Sequence, residues 1–336
     1  MSGRYARVAG MGSALPERLV TNDDLAAMGV DTSDEWIRSR TGIRARRFAA
    51  EGETASTLGA AAARRALESA AVDPGAVDLT ICATFTGDQP LPSTASFLQA
   101  ELGITGAAFD LAAACAGFIY ATEMGRAQIA TGGAETVLVV GVEVLSPLLN
   151  MEDRTTCVLF GDGAGAAVLI PGEEPGIIGS VLESDGRHAH ILEVPSGGSA
   201  SPTSAETVAR GEHYVRMADG REVFKRAVRG MSDVAGRLLE KAGLALDDVS
   251  MLVPHQANAR IIRSVAERLS FPPERVYVDL AEVGNTSAAS VPIAIDHAWR
   301  EGLLRPGDLV LTASFGAGLA WGANLIRWTA EPPGEA

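Results

Sequence analysis

The chain has 336 residues, 47% of them hydrophobic and only 5% aromatic, with 37 glycines. That is enough for a large core or two packed halves, built on close backbone approach more than on bulky rings. With 42 acidic and 28 basic residues the formal charge is −14, which argues against a nucleic-acid or anionic-membrane partner as the default.

The amino-terminal stretch MSGRYARVAGMGSALPE carries no apolar core or cleavage pattern of a secretory leader. Within it, GMGSAL lacks the third glycine of a dinucleotide fingerprint. TLGAAAARRALESA (57–70) predicts a helix; a turn follows at Pro74-Gly75, then a buried strand in VDLTICATF (77–85). After Cys115, AGFIYATEMGRAQIATGG is apolar for three turns and ends in Gly132-Gly133, the pattern of a buried helix with its cap. The run VLVVGVEVL is cut by Glu143, and no stretch approaches the roughly 18 apolar residues of a membrane span. Cys82 and Cys157 lie in strand-like runs, TICATF and TTCVLFG, and read as structural thiols. GDGAGAA (161–167) lacks the Lys-Ser/Thr of a phosphate loop. HAH (188–190) would set two imidazoles on one strand face, but no further ligands lie near, so no metal site is expected. EVFKRAVRGMSDVAGRLLEKAG (222–243) predicts an amphipathic helix closing on Gly243, with a strand after it in DVSMLVPH (248–255). The three cysteines show no CxxC spacing, which suits a reducing cytosol and a cytoplasmic location.

The two helix–strand units echo each other. Val77 aligns with Val249, FDLAAACAG (109–117) with VDLAEVGNTS (278–287), and VLVVG (137–141) with LVLTA (309–313). Three matches in one order at nearly one offset indicate a duplicated α/β unit with its boundary near IPGEEPG (170–176). The echo brings Cys115, His255 and Asn285 toward one central seam, where strand ends tend to hold ligands.

Cys115 stands among alanines and a glycine, which pack poorly on a sulfur and leave room for a substrate. At a helix amino terminus, unpaired N–H groups and the dipole would stabilise its thiolate. His255, in VPHQANARI, and Asn285, in VGNTSAAS, gain meaning only beside Cys115. A neutral imidazole and a carboxamide both donate to a developing oxyanion, and neither repels an enolate.

The set DTSDEWI with RTGIRAR, AACAGF, LFGDGAGAA, VPHQAN, VGNTSAAS and SFGAGLAWG, in that order, resembles the β-ketoacyl-acyl-carrier-protein synthase III family of thiolase-like condensing enzymes over nearly the whole chain. The resemblance implies an α/β fold of two pseudo-symmetric duplicated halves, layered α/β/α/β/α, with residues 1–172 carrying the nucleophile and 173–336 the His/Asn pair. It implies the initiating decarboxylative condensation of an acyl-CoA with malonyl-acyl-carrier protein in fatty-acid synthesis, without a cofactor. Cys115 would take the acyl group. His255 and Asn285 would promote decarboxylation and stabilise the enolate, and the backbone N–H groups of Cys115 and Ala317 would form the oxyanion hole. Thr32, Trp36, Arg40 and Arg154 fall where the family holds CoA. Gln256, Ala257, Asn258, Ala259, Arg260 and Lys225 fall where it meets the carrier protein. Two basic helix faces, Lys225/Arg226/Arg229 and Arg260/Arg263, would offset the acidic surface there. Leu91, Phe315 and Leu319 fall at the acyl pocket, Leu91 reaching across from the partner of a homodimer. Gly316-Ala317-Gly318-Leu319 departs from the Gly-Gly-Gly-Phe of many members, which bears on pocket shape and starter preference.

Other readings stay open. A ketosynthase or acyltransferase of secondary metabolism would use the same three residues. A thiolase would need a second cysteine in the carboxyl half, and an elongating synthase a second histidine in place of Asn285. A cysteine hydrolase would share the Cys/His/Asn set but not its sequence signature, and a non-catalytic acyl-binding protein would not need all three polar groups.

Overall fold

A computed structural model describes residues 4–331. In chain order the first half contains β1 (Tyr5–Ala14), β2 (Leu19–Thr21), α1 (Asn22–Ala27), α2 (Asp34–Thr41), β3 (Ala45–Arg47), α3 (Ala55–Ala70), β4 (Leu79–Ala83), α4 (Thr94–Leu102), β5 (Ala107–Leu111), α5 (Gly117–Thr131), β6 (Val137–Glu143) and β7 (Gly163–Gly172). The second contains β8 (Ile177–Ser184), β9 (Leu192–Glu193), α6 (Ala205–Ala209), β10 (Arg216–Met217), α7 (Gly220–Ala242), β11 (Met251–Pro254), α8 (Ala259–Leu269), α9 (Leu280–Val283), α10 (Ser290–Arg300), β12 (Leu309–Gly316) and β13 (Ala320–Arg327).

The halves repeat one topology. The first sheet runs β1-β7-β6-β4-β5, and the second runs β8-β13-β12-β11. Where the first sheet adds β5 parallel to β4, the second adds only a parallel bridge between Leu252 and Val276. β6 and β12 start 172 residues apart, as do β4 and β11 (Val137 and Leu309; Leu79 and Met251). Strands β4 and β6 are buried on both faces and read as continuous apolar runs, because helices cover the sheet from each side.

Between the sheets lie α5, against β4, β6 and β13, and α10, against β1, β7 and β11. Small residues make this layer possible. A Cβ on Gly165 would fall 2.8 Å from the Ile293 nitrogen and from Pro292, so the glycines of GDGAGAA admit α10 against β7. Helices α3 and α4 cover the outer face of the first sheet, and α7, with α8 beside it, covers the second. On α7 the buried Ala227, Met231, Val234, Ala235 and Leu238 recur at helical spacing, giving the amphipathic face read from the sequence.

Several expectations shift. The helices read as starting at 57 and 222 begin at Ala55 and Gly220, because Thr54 and Asp219 cap them. The strands read as 77–85 and 248–255 shorten to Leu79–Ala83 and Met251–Pro254. Cys157 lies in a turn rather than a strand; Cys157 N and Thr156 N both donate to the Asp153 carbonyl. His188 and His190 lie in a 3-10 stretch, Gly186–Ile191, that Asp185 caps, so they do not share a strand face. Among the described residues, no three His, Cys, Asp or Glu side chains group as metal ligands, and no helix is long and apolar enough to cross a membrane.

Candidate active site

Cys115 sits in a 3-10 turn, Ala114–Ala116, that runs directly into α5. The turn is sharp: Ala114 takes φ 44°, a left-handed conformation that alanine adopts at a cost. Two contacts from β12 hold it. Ser314 Oγ donates to the Cys115 carbonyl at 2.6 Å. Gly316 lies so close that a Cβ there would be 2.5 Å from the Cys115 nitrogen. Any side chain at 316 would displace the turn.

His255 follows the end of β11, its backbone N–H continuing the parallel ladder to the Ala313 carbonyl at 2.8 Å. Asn285 follows Gly284, whose φ of 73° favours glycine. Its backbone is bonded both ways to 159–161: Asn285 N to Leu159 O at 2.9 Å, and Gly161 N to Asn285 O at 3.0 Å. That segment is fixed in turn by buried Asp162, whose carboxylate accepts from the N–H groups of Ala49, Leu145 and Ser146 at 2.7 to 2.9 Å. LFGDGAGAA thus serves as a structural tie.

Cys115, His255 and Asn285 line one cavity of about 530 Å³, a size typical of small-molecule sites. Leu192, Met217, Phe224, Met231 and Phe315 make much of its wall apolar. Burial pushes the Cys115 thiol up to about 12, with Ser287 bonding to favour the thiolate and the charge of Glu143 opposing it. Desolvation thus acts against the thiolate expected at a helix terminus. Burial also pushes His255 down to about 3, so its imidazole is neutral. His255 Nδ1 meets Ser290 Oγ at 2.5 Å. The Ser287 N–H donates to Asn285 Oδ1 at 2.9 Å, which fixes the amide and leaves its NH₂ as a donor.

The other expected residues divide. Arg40 and Arg154 approach the Trp36 ring, 4.8 and 5.0 Å from its centroid. Nearby, the Thr32 hydroxyl is buried without a partner, and Arg154 donates to the carbonyl and carboxylate of Asp31. Asn258 Nδ2 donates to the Arg40 carbonyl at 3.2 Å, linking this cluster to the cavity wall. Lys225, Arg260, Ala257 and Asn258 line the cavity, joined by Arg221, which the sequence reading missed. Ala259 packs against Gly42. Gln256 has nothing to offer a carrier protein: it is buried, donating to the Pro254 and Tyr277 carbonyls and accepting from Asp279 N. Arg226 and Arg229 leave the expected basic face, pairing with Glu222 at 2.7 Å and Asp233 at 3.3 Å. Arg263 lines a separate groove on α8.

Phe315 lines the cavity, whereas buried Leu319 stands behind it, in the wall of a second cavity that also touches Phe315. Leu91 is 83% exposed and does not reach its own chain's cavity. Ala317 is half-buried beside Gly316. Glu143, Ser287, Ser290 and Ser314 went unassigned in the sequence. The one visible signal was a glutamate inside an apolar strand.

Comparison with known proteins finds relatives along nearly the whole chain. The family described as 3-oxoacyl-[acyl-carrier-protein (ACP)] synthase III matches residues 109–186, and its C-terminal region matches 239–328. The beta-ketoacyl-[acyl-carrier-protein] synthase III of Symbiobacterium thermophilum is 55% identical over 331 residues, covering 98% of this chain and 99% of its own. The crystal structure of 3-oxoacyl-[acyl-carrier-protein] synthase III from Aquifex aeolicus superposes with a TM-score of 0.89 at 44% identity, over 96% of this chain and 100% of that one. The priming beta-ketosynthase of the R1128 polyketide pathway gives 0.91 at 39% identity, over 99% and 98%. The thiolase-like layering expected from the motifs is borne out, and by likeness of sequence along nearly its whole length the chain belongs to the β-ketoacyl-[acyl-carrier-protein] synthase III family.

Proposed function

We propose that Cys115, His255 and Asn285 perform the family's reaction: transfer of an acyl group from acyl-CoA to Cys115, then decarboxylative condensation with malonyl-acyl-carrier protein to give 3-oxoacyl-acyl-carrier protein. One observation carries the assignment. A nucleophile, a neutral imidazole and a fixed carboxamide face one largely apolar cavity. A Ser290 hydroxyl that donates to Nδ1 would fix the tautomer that presents Nε2–H, and Asn285 presents its NH₂. Both then donate to the thioester oxygen as decarboxylation turns it into an enolate. A charged imidazolium is not needed, and burial disfavours one. The N–H groups of Cys115 and Ala317 would form the hole for an acyl oxyanion on the sulfur.

Thr32, Trp36, Arg40 and Arg154 would grip the nucleotide end of CoA, a stacking surface with two cations beside it. Arg221, Lys225 and Arg260 at the cavity would meet the acidic carrier. A homodimer is supported by the open edge of β5, where Phe109 is 42% exposed, since an unpaired strand edge is a template for another chain. The two sheets support a division into halves at 172/173. The absence of a membrane or nucleic-acid partner, a cytoplasmic location and turnover without a cofactor complete the reading.

Replacing His255 or Asn285 by alanine tests it. Each variant is expected to lose malonyl-thioester decarboxylation by about 10²–10³, the usual loss for one oxyanion donor, and to keep more of its acyl transfer from CoA. Decarboxylation at the unchanged rate in both would overturn the roles.

A further inference from the structure

Glu143 ends β6 with its carboxyl fully buried. An isolated buried carboxylate is costly unless hydrogen bonds or a proton compensate it. Here every donor comes from neutral groups. Oε2 accepts from the hydroxyls of Thr84 and Thr86 and the N–H groups of Phe85 and Thr86. Oε1 accepts from Ser287 Oγ at 3.2 Å. No arginine or lysine faces it from β4, from β7, or from the 3-10 turn at Ser287–Ala289. The titratable groups that feel its charge are Cys115 at the head of α5 and Cys82 on β4, and Cys82 also feels Asp88 and Asp110. His255 lies on the cavity wall, bonded to Ser290.

Ser287 is the link. Its hydroxyl donates to the Glu143 carboxyl and lies on a turn that packs against the Cys115 turn, close enough to bear on the thiol, while its N–H holds Asn285. Ser287 takes φ 50°, a conformation that serine rarely adopts. The site thus contains a nucleophile that must lose a proton, a hydroxyl able to pass one, and a carboxyl able to keep it.

We propose that Glu143, acting through the Ser287 hydroxyl, holds the Cys115 proton during the catalytic cycle. This rests on Cys115 being the acylated residue. Above about pH 8 the resting site holds Cys115 as a thiol and Glu143 as a carboxylate. As the sulfur attacks the thioester carbonyl, its proton passes to Ser287 Oγ while the serine proton passes to Glu143 Oε1. The C–S bond to CoA breaks, and the CoA thiolate takes a proton from solvent. Glu143 is then neutral while the acyl-enzyme waits, so no fixed negative charge opposes the enolate formed when malonate loses CO₂. The enolate carbon bonds to the acyl carbon, the acyl–Sγ bond breaks, and the Cys115 thiolate recovers its proton from Glu143 by the same path. One solvent proton is consumed per turnover, as the overall reaction requires. At no step are the two buried sites ionised together: Glu143 carries the charge in the resting site, and neither group carries one in the acyl-enzyme.

The test is single-turnover acylation, read as free CoA released from acyl-CoA, from about pH 6 to about pH 10, within which a base buried like Glu143 titrates. Burial pushes Glu143 up to about 8, so the wild-type rate is expected to rise with pH through that value. Glu143→Gln keeps the shape but cannot take the proton. It is expected to slow acylation by about 10²–10³ at pH 8 and abolish the inflection, within the usual range for lost general-base assistance. Glu143→Asp should restore the inflection. Ser287→Ala leaves the carboxyl and the Asn285 tie in place, should behave like Glu143→Gln, and carries the test if that variant does not fold. Malonyl-thioester decarboxylation should fall less than acylation in both. An unchanged inflection in Glu143→Gln overturns the proposal, as does an equal loss of both half-reactions in Glu143→Gln and Ser287→Ala. CoA release that persists in Cys115→Ala would instead contradict the assignment of the nucleophile.

Discussion

Burial sets the protonation states of Cys115, His255 and Glu143, and it does so against intuition drawn from sequence. A helix amino terminus should favour thiolate at Cys115, yet desolvation pushes the thiol up. The same burial keeps His255 neutral, which suits a hydrogen-bond donor. Glu143 gives a stability signature of its own. Its folded pKa, about 8, lies above the ordinary carboxylate value. The folded chain therefore keeps a proton that the unfolded chain releases. That contribution is fully present below about pH 4.5 and lost as pH rises through about 8. Glu143→Gln removes the titration, so its melting temperature relative to wild type should rise between pH 5 and about pH 8.5. Thermal unfolding at the two pH values checks this, and a constant difference would mean that Glu143 does not titrate in that range. None of this was legible in one dimension. The run VLVVGVEVL showed a carboxylate in a strand, but not the ring of neutral donors that surrounds it.

Helices α7 and α8 show what periodicity can and cannot convey. The apolar stripe of α7 was legible because Ala227, Met231, Val234 and Leu238 repeat at helical spacing. The partners of its charges were not, since Asp233 draws in both Arg229 and Arg268, the latter from α8. What remains beside the cavity is Arg221, Lys225 and Arg260. Lys225→Glu with Arg260→Glu should raise KM for malonyl-carrier protein roughly ten-fold while sparing acyl-CoA, because rim charges act mainly on association. The wild-type KM should also rise with salt, as exposed charges are screened beyond about 8–10 Å. A salt-independent KM, or an equal rise for acyl-CoA, would remove the electrostatic surface. The motif glycines were legible as breaks but not as packing. Only the fold shows that Gly316 must admit the Cys115 nitrogen and Gly165 must admit α10.

At the scale of the molecule, duplication was readable because equivalent strands keep one offset, 172 residues, between the sheets. The echo also brought the three polar residues to one cavity, since each follows an equivalent strand end or loop. Pocket shape was not readable, because it depends on packing depth: Leu319 lies behind Phe315 rather than in the cavity wall. Leu91, exposed in a single chain, would reach an acyl group only across the proposed homodimer. Leucine at 91 lacks the flat bulk of an aromatic ring and would leave apolar volume, and each further buried methylene is worth about 0.8 kcal/mol. Short branched and medium linear acyl-CoA starters should then be accepted beside acetyl-CoA. Leu91→Phe should narrow that range by roughly ten-fold in kcat/KM; a range that Leu91→Phe leaves unchanged would show that Leu91 does not bound the pocket. The central claim is that Cys115 waits acylated for a second substrate, and intact-protein and peptide mass spectrometry after incubation with acyl-CoA alone tests it most directly. The account predicts one stable acyl group per chain, on Cys115 and not on Cys82 or Cys157, discharged when malonyl-carrier protein is added. Continuous turnover of acyl-CoA without an adduct, or an adduct that malonyl-carrier protein leaves in place, would contradict it.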